Sequence, residues 1–158
     1  MSKKNQIGLD PDKSEQLSKK LNLLLANYQL FYINARGFHW NIKGEKFFEL
    51  HVKFEELYNN ALLKIDEIAE RILTLGNTPL HTFTAYVEAS AIREITNQSD
   101  GVACVKDVVE GFRVLLEIER DVLVMSADAG DEGTNALMSD YIREQEKLVW
   151  MYSAFLKD

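Results

Sequence analysis

The sequence predicts an all-α protein, a four-helix bundle with a short extra helix in the connection between the second and third long helices. Apolar residues recur at gaps of three and four along most of the chain, as on one face of a helix. No segment shows the apolar–polar alternation that a half-buried strand needs. Pro11 and Pro79 are the only prolines, so helices can run from 12 to 78 and from 80 to 158. With 158 residues, 46% of them hydrophobic, one domain with a sizeable core is expected.

The first long helix is predicted over about 12–40. Asp10 is a suitable N-cap and Pro11 fits the first turn, so the polar residues 1–9 are expected to form a short mobile segment before a domain at 10–158. The apolar positions that share one helical face are Leu17, Leu21, Leu24, Leu25, Tyr28, Phe31, Tyr32, Ala35 and Phe38. A turn is predicted from 41 to 44.

The second long helix is predicted over about 46–75, roughly 45 Å in length. Gly76 suits the left-handed position just past a helix end, and Pro79 follows it. Its apolar face comprises Leu50, Phe54, Leu57, Tyr58, Ala61, Ile65, Ile68, Ala69, Ile72 and Leu73. A helix of this length is typical of a bundle.

The remaining chain is predicted to hold a long connection over 77–98 and two more long helices, at about 100–127 and 134–156. A short helix is expected in the connection, from Thr82 to Ser90. Two short connections flanking a long one give a bundle with one crossover, which is the ferritin-like connectivity. Other bundles share that connectivity, so the fold does not by itself determine the function.

Composition excludes several classes of protein. The formal net charge of −7 opposes binding of nucleic acid by charge alone. Cys104 is the only cysteine, which rules out an intrachain disulfide and a cysteine zinc cage; a small apolar helix residue is expected there. No apolar run approaches the ~20 residues of a membrane span, and the N-terminus lacks a signal-peptide core. A soluble, acidic, cytoplasmic protein is expected.

The Glu-x-x-His pairs of ferritin-like di-iron proteins are missing. The residues three positions before the histidines at 39, 51 and 81 are Arg36, Phe48 and Thr78. The second long helix carries a different pattern, in which His51 and Glu55 are separated by four residues, as are Asp66 and Glu70. At 100° per residue these four side chains share a stripe beside the apolar face.

The axial distance within this helix limits how those side chains can bind a metal. His51 and Asp66 are 15 residues apart, or roughly 22 Å along the axis, whereas metal–ligand distances are about 2 Å. Both pairs could serve one centre only if two copies of the helix ran antiparallel across a twofold axis, near Asn60 and Ala61. His39 could join His51 in that cluster. The alternative is that these acids are solvated charges on a helix flank.

Three stretches of the chain carry a resemblance to a known family. They are Asn34 to Gly44 (NARGFHWNIKG), Phe47 to Tyr58 (FFELHVKFEELY) and Ile65 to Leu73 (IDEIAERIL). A His-Trp pair, a histidine twelve residues later, an acidic residue and then Asp-x-x-x-Glu closely resemble the Dps family (DNA-binding proteins from starved cells, or mini-ferritins). The similarity extends more loosely to 147–156.

The resemblance implies a spherical homododecamer around an iron-storing cavity. It also implies a di-iron ferroxidase centre at each twofold interface, which oxidises Fe(II) preferentially with hydrogen peroxide, deposits ferric mineral and protects the cell from oxidative stress. His39 and His51 would come from one subunit, and Asp66 and Glu70 from its partner. Glu55 stands where the family often has Asp and is kept as a ligand.

Further expectations concern the neighbouring side chains and the partners. Trp40 is either a sink for stray oxidising equivalents or an interface residue, and His81 is expected on the surface. Acidic residues near the last turn either line an iron-entry pore or are solvated helix N-terminal acids; these are Asp128, Asp131, Glu132 and Asp140. The alternative function is a DNA-compacting nucleoid protein, but residues 1–9 offer only Lys3 and Lys4, so weak or no DNA binding is predicted.

Overall fold

The computed structural model describes residues 3–157 and confirms the all-α bundle with a short extra helix. The helices are α1 (Pro11–Asn41), α2 (Phe47–Thr74), α3 (Phe83–Ala89), α4 (Gly101–Asp128) and α5 (Glu132–Phe155). The only β pairing in the described chain is an isolated bridge between Lys43 and Asp100. None of the helices over residues 3–157 is both long enough and apolar enough to cross a membrane. The described residues do not include 1 and 2, which belong to the predicted N-terminal segment, or 158, the last residue of the predicted domain.

The helix ends follow from their capping residues. The Asp10 carboxylate accepts hydrogen bonds from the backbone N–H groups of Asp12 and Lys13, at 2.9 and 3.0 Å, so α1 begins as predicted. Gly76 has φ +90°, the left-handed conformation that favours glycine after a helix. Asp100 caps α4 by accepting from Ala103 N. The expected mobility of residues 1–9 stays a prediction.

The core lies where the apolar stripes of the four long helices meet. Helix α1 packs against α2, α4 and the short α3, and α4 packs against α5. Helices α1 and α4 approach closely at Gly111, where a Cβ atom would lie only 2.8 Å from Cδ2 of Phe31. The same Phe31 ring lies 4.8 Å from the ring of Phe112. A glycine therefore allows this aromatic pair to fill the space between the two helices.

Two asparagines on α1 hold the long connection against the bundle. Asn27 Oδ1 accepts three hydrogen bonds of 3.0–3.1 Å from residues 90–92. Seven residues later, Asn34 accepts from Ile95 N and donates to Arg93 O. The two asparagine side chains thus supply hydrogen-bond partners to a segment whose backbone has no helix or strand to provide them. The connection is consequently fixed on the same helix that carries His39 in its last turn.

The bundle interior also contains a polar cluster. Tyr28 Oη donates to Glu119 Oε2 at 2.5 Å, and Gln145 Nε2 donates to Tyr28 Oη. Glu119 and Gln145 are almost completely buried, and each keeps one side-chain oxygen without a hydrogen-bond partner in the described chain. Burial raises the pKa of Glu119 to about 8, so the carboxyl group is largely protonated at neutral pH.

Candidate metal centre

His39 and His51 form a reciprocal pair between the end of α1 and the start of α2. His39 Nδ1 lies 2.7 Å from the carbonyl oxygen of His51, and His51 Nδ1 lies 2.7 Å from the carbonyl oxygen of His39. Their rings stack with centroids 3.8 Å apart. A carbonyl oxygen can only accept a hydrogen bond, so each Nδ1 carries a proton. In the neutral imidazole, Nε2 is then unprotonated and available to a metal ion.

The surroundings of the pair hold both rings in place. The Tyr58 and His39 rings pack in a T-shaped arrangement with centroids 5.4 Å apart, and Phe47 stacks on His51 at 4.8 Å. His39 is 8% exposed and His51 is half-buried. Packing and hydrogen bonding therefore orient the imidazoles before any metal binds, which favours a preformed site.

The carboxylates lie on the outer side of α2. Glu55 is exposed one turn after His51, while Asp66 and Glu70 are exposed roughly 22 Å and roughly 28 Å along the axis from it. The residues from 3 to 157 contain no group of three or more His, Cys, Asp or Glu close enough to hold a metal. One chain thus brings His39 and His51 together but keeps Asp66 and Glu70 away from them.

Asp66 and Glu70 repel each other across one helical turn. The negative charge of Asp66, together with a hydrogen bond between the two side chains, raises the pKa of Glu70. Like charges at this spacing are unfavourable on a helix. A cation placed between the two carboxylates would relieve that repulsion, so this pair suits a metal ion chemically.

The side of α2 that carries these ligands is also apolar, which the sequence analysis missed. Large side chains lie within about 120° of His51 around the helix and point outward; they are Phe48, Val52, Leu62, Leu63 and Leu73. Phe48 is 83% exposed and Leu63 is 67% exposed. An exposed apolar face of this kind indicates a protein–protein contact. The prediction that Leu73 shares the core face is wrong, since its side chain is 58% exposed. The other four residues are a second apolar set in the sequence, out of phase with the core set.

The middle of α2, where the twofold axis is predicted to pass, has one buried side and one exposed side. Ala61 is buried in the core, and Asn60 Nδ2 donates to Glu144 on α5 at 2.8 Å. The outward-facing residues at that height are Leu62 and Leu63. The predicted height of the axis stays a prediction, and the side chains that point outward there are these two leucines.

The acidic residues near α5 separate into two groups. Asp128, Glu132 and Asp140 are exposed. Asp131 is 2% exposed, and its carboxylate accepts hydrogen bonds from Arg71 Nη2 at 2.7 Å and from Thr134 N at 3.0 Å. Asp131 therefore caps α5 and ties it to α2. Only the three exposed carboxylates therefore remain candidates for lining an iron-entry pore.

Two further residues are where the sequence predicted them. His81 is exposed, and its Nδ1 lies 3.0 Å from the carbonyl oxygen of Pro79. Cys104 is buried in α4, and burial raises the pKa of its thiol to about 11. The sulfur is therefore a protonated, unreactive core atom at neutral pH.

Comparisons with known proteins agree with the fold. A ferritin-like domain family matches residues 18–158. A protein of Haemophilus influenzae is 52% identical over 151 residues, covering 96% of this chain and 94% of its own. A "DNA protection during starvation protein" of Porphyromonas gingivalis is 40% identical over 148 residues, covering 94% of this chain and 93% of its own.

The same likeness holds among solved structures. A Dps protein from Vibrio cholerae, described as a member of a broad superfamily of ferritin-like diiron-carboxylate proteins, has 57% sequence identity and a TM-score of 0.96. The match covers 99% of this chain and 98% of that one. Both sequence and backbone therefore agree over nearly the whole length.

Proposed function

This chain belongs to the Dps family of ferritin-like proteins, and on that premise we propose that it is an iron-storage mini-ferritin with ferroxidase activity. It oxidises Fe(II), preferentially with hydrogen peroxide, and deposits ferric mineral inside a homododecameric shell. This chemistry protects the cytoplasm from oxidative stress. One observation carries the proposal: His51, held in a pair with His39 of α1, and the distant carboxylates Asp66 and Glu70 share one apolar side of α2.

The centre is completed by a second copy of the chain. When two α2 helices run antiparallel across a twofold axis, His39 and His51 of one subunit face Asp66 and Glu70 of the other. Each dimer then holds two identical centres. The apolar side chains around Leu63 become buried between the two helices, which removes apolar surface from water. Assembly and site formation are therefore the same event.

The donor set suits iron in both of its common oxidation states. Imidazole nitrogens and carboxylate oxygens are harder ligands than thiolates. The Nε2 atoms of His39 and His51 would bind without adding charge, while Asp66 and Glu70 add negative charge that favours Fe(III) over Fe(II). Glu55, one turn from His51, would supply a further carboxylate.

The reaction is balanced when two ions are oxidised together. Each of two Fe(II) substrate ions gives up one electron, and hydrogen peroxide takes up both electrons and two protons to form two water molecules. Paired transfer limits the release of hydroxyl radical, which one-electron reduction of peroxide produces. The proposed role of the protein is to hold both substrate ions so that this pairing occurs.

A test compares oxidation rates after anaerobic loading with Fe(II) and addition of peroxide. The double variant Asp66→Ala/Glu70→Ala is expected to oxidise Fe(II) at least roughly tenfold more slowly than the wild type, because it lacks the partner's carboxylates. Glu49→Ala/Glu56→Ala is the matched control, since it removes two exposed carboxylates from another side of α2. Equal rates in the wild type and the first variant would remove the site assignment. A monomeric mass in solution would contradict the shared centre.

A further inference from the structure

Arg36 places a positive charge on an aromatic cluster beside the candidate centre. Its Cζ atom lies 4.6 Å from the centroid of the Trp40 ring, 5.8 Å from that of Tyr58 and 6.0 Å from that of Tyr32. Arg36 Nη1 donates to Tyr32 Oη at 3.0 Å. Its Nε atom is buried and has no hydrogen-bond partner in the described part of the chain. Aromatic faces thus hold the guanidinium where a carboxylate would be the usual partner.

The cluster is directly connected to the histidine pair. Arg36 lies one turn before His39 on α1, and Trp40 is the next residue after that histidine. The Tyr58 ring, which Arg36 also approaches, packs against the His39 ring in a T-shaped arrangement. An oxidant generated at the centre would therefore have these rings among its oxidisable neighbours.

A cation over an indole opposes the removal of an electron from it. The neutral ring attracts the guanidinium through its negative face. Loss of an electron turns that attraction into repulsion between two positive charges, in surroundings less polar than water. We propose that Arg36 is a positioning residue that protects Trp40 from one-electron oxidation, so that oxidising equivalents at the centre are consumed by Fe(II) rather than by the indole.

This role differs from that of a sink, in which Trp40 would be the preferred electron donor. It relies on the proposed ferroxidase function only for the source of the oxidant. The electrostatic effect of Arg36 exists without iron and can be measured without it.

The second tryptophan serves as an internal reference. In the isolated subunit Trp150 is 67% exposed and Trp40 is 59% exposed, and the comparison is of one ratio between the wild type and Arg36 variants of the same assembly. No lysine or arginine of the described chain stacks on Trp150. The ratio of Trp40 to Trp150 oxidation in one sample therefore reports on the charge of Arg36 rather than on the dose of oxidant.

The experiment uses iron-free, full-length protein and light-driven oxidation by tris(bipyridine)ruthenium with persulfate. The Ru(III) complex takes one electron from an indole and becomes Ru(II), while the indole N–H proton passes to water. Peptide mass spectrometry then measures the products at both tryptophans. A cation–π contact changes an equilibrium constant by about twofold to fivefold. The ratio of Trp40 to Trp150 oxidation should therefore rise by at least that factor in Arg36→Gln and Arg36→Met. In Arg36→Lys, which keeps the charge, the ratio should rise less than in either uncharged variant.

An unchanged ratio in Arg36→Gln and Arg36→Met would overturn the proposal. An equal rise in Arg36→Lys would do so as well, since it would assign the effect to packing instead of charge. The two uncharged variants differ in polarity, so one remains informative where the other folds poorly. Failure of Fe(II) oxidation in the wild type would contradict the ferroxidase function alone and would leave this ratio as a separate result.

Discussion

Replacing Glu119 by glutamine should remove much of the pH dependence of the stability of this bundle. The carboxyl group has a pKa of about 8 when folded, against an ordinary value of 4.5, because burial disfavours its charged form. Between these pH values the unfolded chain has lost the proton that the folded chain retains, so rising pH favours unfolding. The stabilisation is complete below pH 4.5 and is lost as the pH rises to 8.

The magnitude follows from the two pKa values. A tenfold difference in proton affinity corresponds to about 1.4 kcal/mol, so the wild type should lose about 3 kcal/mol between about pH 5 and pH 8 through this group. For a chain of this size that is a fall in Tm of about 6–12 °C. Glu119→Gln keeps the shape and the hydrogen bond from Tyr28 but cannot ionise. The variant should therefore lack this part of the fall in Tm with rising pH.

Thermal unfolding followed by far-UV circular dichroism at several pH values measures the effect. The quantity to compare is the change in Tm with pH in the wild type and in the variant, because other titrating groups are common to both. Glu117→Gln is the matched control, since that neighbouring carboxylate is exposed. If the wild type and Glu119→Gln had the same pH dependence, the burial argument would be refuted.

Other predictions concern assembly, packing and partners. Leu63→Glu places a charge on the exposed apolar face of α2 and should yield subunits of monomeric mass with unchanged helix content; an intact shell would exclude this face from the interface. Asp131→Asn leaves the guanidinium of Arg71 without its anion and should lower the unfolding free energy by about 2 kcal/mol, less than for a fully buried pair because Arg71 is partly exposed; an unchanged Tm would argue against this contribution. Asn27→Ala removes three hydrogen bonds to the connection, so hydrogen exchange at 90–92 should become faster while exchange in α4 stays slow; equal protection would show that the asparagine is dispensable. Duplex DNA should show no gel shift at about 0.15 M salt, and a clear shift would contradict the charge argument.

The long helices could be predicted because their signals are local. Asp10 with Pro11 and the glycine at 76 mark helix ends within a few residues, and apolar spacing defines each buried face. The candidate ligands on α2 could be found for the same reason, since a spacing of four residues places them on one side of one helix.

Pairings between distant parts of the chain could not be predicted in this way. In the sequence Asp131 is one of several acidic residues near a turn, and its partner Arg71 is 60 residues away. Its burial therefore depends on how α2 and α5 come together. Glu119 falls in phase with Leu115 and Val122, yet only the hydrogen bond from Tyr28 on another helix explains how a carboxyl group is tolerated there. The hydrogen bonds between His39 and His51 likewise depend on where the chain turns.

The reciprocal hydrogen bonds of His39 and His51 give the five residues between α1 and α2 a strict length requirement. Each imidazole is bonded to the backbone of the other histidine, so inserting or deleting one residue from 42 to 46 would displace both partners at once. Surface turns usually tolerate such length changes well. Here the turn acts as a spacer of set length, so a change that alters neither histidine would still displace both candidate ligands simultaneously. Among related chains, variation in this turn should therefore occur by substitution rather than by insertion or deletion.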